Sequence, residues 1–235
     1  MSILNGYHRE IAIHSAVNFV GIGNYVKIKN KFTNYRWYKP GFIETRTIFI
    51  HVPKAAGSSI GENLYGTPST GHYEWQYYKH ENPDYFRDFF KFTFVREPVS
   101  RFMSAYNYLL DGGRSTHDRQ VGERLRAFGG VDAFVQKGLR DGNFLKFRHF
   151  RPQTNFLFDE GDRNMMDFIG RVETMDQDTE KLSMAIGRSV KPDRSNVTKR
   201  KTISSAEISP ETLAILFDIY ERDFRLLGYP MARAS

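Results

Sequence analysis

The chain has no cysteine among its 235 residues, so neither a disulfide framework nor a thiolate metal site can form. It has no apolar run approaching the ~20 residues needed to span a bilayer. The N-terminus does not begin with a charged stretch leading into a continuous apolar core, so no signal peptide is expected. The Walker A pattern G-x-x-x-x-G-K-[ST] is absent, and no second motif offers carboxylates to hold magnesium, which argues against a nucleoside-triphosphate kinase. Internal repeats, low-complexity tracts, zinc-finger spacings and helix-turn-helix signals are missing as well. What the chain does have is a basic balance: 34 Lys and Arg against 27 Asp and Glu, a net charge of +7 and a pI near 9.5. That balance predicts an anionic partner. Nucleic acid is the obvious rival, but the aromatic residues fall largely at apolar helix and strand positions and read as core, so no nucleic-acid partner is expected.

The most informative segment runs from Thr47 to Ile60. Thr47–Ile48–Phe49–Ile50 reads as a buried strand, bounded by Pro53. Ser58 and Ser59 stand where a helix would begin, with Ile60 and Leu64 at helical spacing behind them. A strand feeding a small-residue loop and then a helix start gathers unpaired backbone N–H groups and the positive end of the helix dipole on one point. Lys54 adds a full positive charge there, and Ala56, Gly57, Ser58 and Ser59 complete a candidate phosphate cradle. The competing reading is a plain strand–turn–helix corner with a surface lysine. A second segment repeats the pattern. Phe92–Thr93–Phe94–Val95 reads as a strand, Arg96 stands at its carboxyl end, and Pro98 suits a first helical turn. Val99, Phe102, Met103, Tyr106 and Leu110 form one apolar face, and Ser104 lies two turns into that helix. Alternatively, Arg96 is paired with Glu97 and Ser104 merely flanks the helix.

The order proline, lysine, small, small, glycine, serine, serine resembles the 5′-phosphosulfate loop of sulfotransferases that use 3′-phosphoadenosine 5′-phosphosulfate (PAPS). Arg96 with Ser104, eight residues later, resembles their 3′-phosphate motif, in which the arginine makes charge-assisted contacts and the serine adds a hydrogen bond. The closest resemblance is to sulfotransferase family 2, the branch with the heparan sulfate 2-O- and 6-O-sulfotransferases and their bacterial relatives, and it covers about Thr47 to Tyr229. Arg151–Pro152–Gln153–Thr154, Tyr220–Glu221–Arg222–Asp223–Phe224 and Leu227–Gly228–Tyr229 are weaker echoes. One departure stands out: many relatives carry threonine and glycine where this chain has Ala55 and Ala56, so a hydroxyl donor and some backbone freedom are missing. The resemblance implies PAPS as sulfuryl donor with no metal required. Golgi relatives in animals have a membrane anchor, whereas this sequence reads as a bacterial-type cytoplasmic enzyme, an excised catalytic domain being the alternative.

Strands alternating with helices predict an α/β fold, a P-loop-type three-layer sandwich with a central, mainly parallel sheet flanked by helices. Residues 1–235 read as a single domain, with 1–40 an N-terminal extension. In that extension Ile11, Ala12, Ser15, Ala16 and Phe19 line one helix face, Gly21 and Gly23 end it, and the basic aromatic stretch Lys27–Lys39 leads into the first strand, packing against the sheet edge. Further on, Asp111–Gly112–Gly113 breaks the long helix, a polar helix spans roughly Asp118–Phe128, and Val131–Leu139 forms a short one. Asn155–Phe158 and Asp167–Val172 are strand candidates, followed by an acidic-capped helix to about Ile186, a loop over 187–205, and a closing helix Pro210–Leu227.

Sulfuryl transfer, like phosphoryl transfer, is an in-line displacement catalysed mostly by positioning and charge stabilisation. Lys54 suits neutralising charge on the bridging oxygen as the leaving group departs. His72, in Gly71–His72–Tyr73–Glu74–Trp75, resembles the 6-O-sulfotransferase pattern of histidine, two residues, then tryptophan. An unperturbed imidazole, pKa near ~6.5, suits accepting a proton near neutrality. Glu74 is the second candidate base. His80 and Glu81 read as a solvated face, and His51, within the strand end, as structural. His149 and Arg151 are candidate contacts to an acidic acceptor. In the basic segment Arg194–Lys201, alternatively a solvated surface, Asn196, Thr198 and Lys201 are candidate cofactor contacts, because relatives close a late loop over the cofactor. The acceptor is a hydroxyl, by analogy that of a glycan or glycolipid. Two other functions are a nucleotide-dependent phosphotransferase and a non-catalytic polyanion binder on the same fold. Oligomeric state is not readable.

Overall fold

The computed structural model describes residues 12–33 other than 14 and 18, then 35–140, 143–191 and 207–231. Two compact units are formed, one from residues 17–96 and 155–199, the other from residues 1–16, 97–154 and 200–235.

The first unit holds the sheet. Strands β1 (Thr47–Phe49), β2 (Phe90–Val95) and β3 (Phe168–Arg171) are all parallel in the order β1-β2-β3. Thr47 faces Phe90, and Phe92 faces Phe168, fixing the register. β1 is buried throughout, as are Phe92–Val95 of β2. Such continuous apolar runs belong to parallel strands covered on both faces. Phe49 stacks on Phe92 at 5.0 Å, and the buried Thr93 hydroxyl donates to the Ile50 carbonyl at 2.7 Å, tying the end of β1 to β2. The α/β class with a parallel sheet is the one anticipated.

The helices of this unit that come before β2 include α1 (Ile22–Thr33), α2 (Pro40–Thr45), α3 (Gly57–Tyr65), α4 (Trp75–Glu81) and α5 (Pro83–Asp88). The N-terminal segment departs from expectation. Gly21, at φ 77°, does interrupt the helical stretch before it, but Gly23 lies inside α1, which continues through most of the basic aromatic stretch. The segment is helical because it repeats Ile22, Val26 and Asn30 on one face, and α1 packs on α4 rather than on the sheet edge.

The second unit is helical: α6 (Pro98–Leu110), α7 (Thr116–Arg126), α8 (Val131–Ala133) running into a π-helical turn Phe134–Leu139, and later α11 (Pro210–Ile219) and α12 (Glu221–Leu227). Between them in the chain come α9 (Thr154–Leu157) and α10 (Met175–Ile186), the latter following β3 in the sheet-bearing unit. The core of the helical unit is aromatic: Phe102, Phe134 and Phe150 meet at centroid distances of 5.3–6.3 Å, with Tyr220 against Phe102. Two further expectations are corrected here. Asn155–Phe158 is helical to Leu157, with only Phe158 in an isolated bridge to Asn164. The reason is remote: the buried Asp223 carboxylate accepts from Gln153 N, Thr154 N and the Thr154 hydroxyl at 2.7–2.8 Å, fixing a helix start. The closing helix is two helices because Tyr220 leaves helical geometry at φ −104°, ψ 18°, its buried hydroxyl donating to the Phe150 carbonyl at 2.7 Å. Among the described residues no helix is long and apolar enough to cross a membrane.

Candidate active site

Because β1 and β2 are parallel neighbours, their carboxyl ends open on one edge of the sheet, the edge where open α/β sheets bind ligands. The loop after β1 carries Lys54 and leads into α3; β2 ends at Val95, immediately before Arg96. The β1 loop is tightly turned. Lys54 (φ 67°) and Ala56 (φ 59°, ψ 12°) both occupy left-handed conformations, which L-residues adopt at a cost. Ala56 is also the N-cap of α3, and no side chain caps that helix. The helix starts at Gly57, one residue earlier than expected, so Ser58 and Ser59 lie in its first turn, with the Ser59 hydroxyl donating to the Ala56 carbonyl at 3.3 Å. Ala56 itself thus offers the first-turn amides and the positive end of the helix dipole no capping side chain, and Lys54 stands two residues before it in the same loop.

The corresponding helix start after β2 is different. There Glu97 is the N-cap, and its carboxylate accepts from Val99 N at 3.1 Å and Ser100 N at 2.6 Å. Glu97 thus engages the first turn of α6. Arg96 is half-buried at the strand end, and Ser104 is half-buried on α6 in the helical unit.

His51 forms the floor of the β1 loop. It is 4% exposed and stacks on Phe49, and its Nδ1 lies 2.9 Å from the Thr70 hydroxyl. A Cβ placed on Gly57 would lie 2.1 Å from His51 Cδ2, so α3 starts directly on the imidazole and only glycine fits. Burial first, and then the neighbouring His72, hold the His51 pKa well below the ordinary histidine value, so this ring is neutral. The structural reading of His51 agrees with this placement.

His72 stands over that floor, its ring centroid 4.2 Å from that of His51. Its Nδ1 is 2.9 Å from the His51 carbonyl. A carbonyl only accepts, so Nδ1 carries the proton and the lone pair of the neutral ring is on Nε2. The β1 loop and His72 are thereby brought together through residues of one unit. Glu74 is half-buried and is the N-cap of α4, with no side-chain cap bond.

His149 and Arg151 lie in the other unit. His149 is buried between Tyr108 and Phe147, at 5.4 and 4.9 Å, and Arg151 donates to the Lys146 carbonyl at 2.6 Å. Their own carbonyls accept from the fully buried Arg101 guanidinium, at 3.1 and 2.7 Å. Asn196, Thr198 and Lys201 lie outside the described residues. His80 is exposed, as anticipated, and lies beside Gly23; Glu81 departs from that reading, being half-buried and accepting from the backbone of Trp37 and Tyr38 at 2.9 and 3.0 Å. Sequence reasoning missed Thr70 and Tyr73 as supports of the site; Thr70 is 19 residues from its partner His51, and no local pattern marks the pair.

With this geometry in place, comparison with known proteins identifies the class. The sulfotransferase family model matches residues 44–230, and the chain belongs to that family. It is 28% identical over 175 residues to the zebrafish (Danio rerio) protein carbohydrate sulfotransferase 14. That match covers 63% of this chain but 46% of the zebrafish protein, so the chain spans about half the length of this relative. No solved structure matches it.

Proposed function

We propose that the protein transfers a sulfuryl group from PAPS to a carbohydrate hydroxyl, with His72 as general base. The observation that carries this reading is the uncapped start of α3 on His51, next to Lys54 and within reach of the His72 loop, in a chain of the sulfotransferase family. The donor chemistry fits the residues present: first-turn amides without an N-cap side chain, two hydroxyls and a lysine suit a phosphate ester.

Bound there, PAPS would supply the sulfuryl group and a bisphosphate leaving group. Gly57, Ser58 and Ser59, with Ala56 ahead of them, hold the 5′-phosphate, and Lys54 balances the charge that grows on the bridging oxygen. Arg96 and Ser104 take the 3′-phosphate by the family motif. His72 Nε2 accepts the acceptor's proton while Nδ1–H stays on the His51 carbonyl, which fixes the tautomer and gives the imidazolium an acceptor for its second N–H. Glu74, two residues on, is the alternative base. A carbohydrate acceptor is supported by the name of the zebrafish relative. The roles suggested for His149 and Arg151 at the acceptor draw no support from their packing.

The test is calorimetric titration with 3′-phosphoadenosine 5′-phosphate beside ATP, with Lys54→Ala and Arg96→Ala as controls. Selective binding without magnesium, weakened at least tenfold in both variants, is expected; loss of a charge-assisted contact costs ~1.5–3 kcal/mol. A preference for ATP with magnesium would turn the assignment to a phosphotransferase. Binding that survives both substitutions would overturn the site. With the site established, His72→Ala should abolish turnover on a panel of saccharide acceptors and leave bisphosphate affinity intact, an outcome a non-catalytic polyanion binder would not give.

A further inference from the structure

The segment after α1 brings an unusual amount of aromatic surface to the His72 loop. Tyr35 OH and Tyr73 OH are 2.7 Å apart. Trp37, fully buried, meets Tyr35 and Tyr73 edge-on at 5.0 and 6.0 Å and stacks on Tyr77 at 5.6 Å. Lys29 Nζ sits 4.1 Å over the Tyr35 ring, and Lys39 Nζ donates to the Tyr35 hydroxyl at 3.5 Å. The backbone of this segment is fixed independently, because both Trp37 N and Tyr38 N donate to Glu81 Oε2 and the Tyr38 hydroxyl donates to the Tyr78 carbonyl. Tyr35 is therefore presented to Tyr73 from a rigid base.

On the other side, Tyr73 is tied to the histidine. Its ring lies over Gly71, which has φ 82° and whose missing Cβ would fall 2.5 Å from Tyr73 Cε2. The residues Thr70, Gly71, His72 and Tyr73 are thus held at three points: Thr70 on His51 Nδ1, His72 Nδ1 on the His51 carbonyl, and Tyr73 on Tyr35. The first two bonds arise from the sheet end. The third, by contrast, comes from the N-terminal segment.

We infer that Tyr35 is a positioning residue for His72, acting through its hydroxyl bond to Tyr73. The inference rests on His72 being the base only for its consequence in turnover, and not for the coupling itself. The N-terminal segment then serves proton transfer rather than donor binding. Without the Tyr35–Tyr73 bond the loop keeps its aromatic packing but loses its third anchor, and His72 samples orientations in which Nδ1 leaves the His51 carbonyl and the proton redistributes between the two nitrogens.

The experiment is long-range proton–nitrogen NMR of the full chain, with the His72 ring assigned by its disappearance in His72→Ala. Tyr35→Phe and Tyr73→Phe each delete one hydroxyl and keep the ring. The wild type should show His72 as the Nδ1–H tautomer alone. Each variant should show a mixture of tautomers, and the double variant no more than either single one, because all three lack the same bond. Affinity for 3′-phosphoadenosine 5′-phosphate, titrated in parallel, should stay within twofold, reporting that the fold and cradle are intact. On the best saccharide acceptor of the panel, turnover should fall about three- to tenfold with KM for the donor unchanged, the range of one net hydrogen bond. An unchanged His72 spectrum in both single variants, or effects that add in the double one, would overturn the inference. Turnover that survives His72→Ala would instead refute His72 as base, while the tautomer spectra would still decide whether Tyr35 positions the ring.

Discussion

Gly57→Ala tests whether the start of α3 is built on His51. The added Cβ would sit 2.1 Å from Cδ2 and 2.2 Å from Nε2 of His51, well inside van der Waals contact, so either the ring or the helix start must retreat by more than an ångström. The ring has little room, being 4% exposed, stacked 5.3 Å from Phe49 and bonded to Thr70. Overpacking of this kind costs ~1–3 kcal/mol, and a lost buried hydrogen bond about another 1 kcal/mol. The better helix propensity of alanine returns at most ~1 kcal/mol. The net expectation is a loss of ~1–3 kcal/mol in urea unfolding monitored by circular dichroism, with weakened bisphosphate binding. His51→Ala removes the obstacle. It is destabilising alone, but combined with Gly57→Ala it should cost less than the sum by at least ~1 kcal/mol, the coupling expected of residues in direct contact. Wild-type stability in Gly57→Ala, or strict additivity in the pair, would refute the packing argument and with it the reason for glycine at this position.

Three other outcomes follow from the same coordinates. Ala56→Gly places glycine at φ 59°, where an L-residue is strained by ~1 kcal/mol, so the thermal midpoint should rise by a few degrees despite the larger unfolded-state entropy of glycine; a fall would mean the loop is not held left-handed. His51 gives a pH dependence whose sign is fixed by its lowered folded pKa: the unfolded chain takes up a proton near ~6.5 that the folded chain refuses, so its contribution is complete above that pH. As pH falls below ~6.5, stability should drop with a slope approaching ~1.4 kcal/mol per unit, and His51→Gln should flatten that slope in chemical denaturation between pH 7 and 5. Asp223→Ala strands the Gln153 and Thr154 amides and the Thr154 hydroxyl in the interior and should cost ~3–5 kcal/mol, read by urea unfolding; Asp223→Asn, which keeps an acceptor oxygen, should cost less.

How far the chain could be read in advance varied with the range of the interactions concerned. The two strand–loop–helix segments were legible because their signals are local: apolar runs, a small-residue loop, a proline at a helix start. β3 and α10 followed in the same way, from Asp167–Val172 and the acidic turn at Asp176 and Asp178. The misread elements are those decided at a distance. Phe156–Leu157–Phe158 is apolar enough for a strand, and what makes Thr154–Leu157 helical is a carboxylate 69 residues away. Glu81 reads as surface in its own helix, yet its partners are amides 43 and 44 residues earlier. The echoes around Arg151–Thr154 and Tyr220–Phe224 were visible as motifs, but their meaning was not. In the structure they are two sides of one buried junction, Asp223 against Gln153–Thr154 and Tyr220 against Phe150, so they maintain the helical unit. At the candidate site, the strand–loop–helix order and a structural His51 were legible; the Thr70 and Tyr73 contacts were not, since each depends on a partner far along the chain.

The helix starts that follow β1 and β2 differ in the residue that precedes the helix, and the difference bears on the proposed donor site. Both follow parallel strands and both carry the same dipole, yet α6 opens with a carboxylate that accepts from two first-turn amides, and α3 opens with a methyl group. A carboxylate at that position stabilises a helix by ~1 kcal/mol and repels an incoming anion. Alanine in a left-handed conformation forgoes that stabilisation and adds strain, which packing alone does not reward. On the proposed function, the anionic donor completes the helix end and offsets that cost. Lys54, also left-handed and one residue before Ala55, supports the same conclusion. The sequence feature that separates the proposed donor loop from its neighbour is therefore the residue before the helix, Ala56 against Glu97, more than the glycine and serines that follow it.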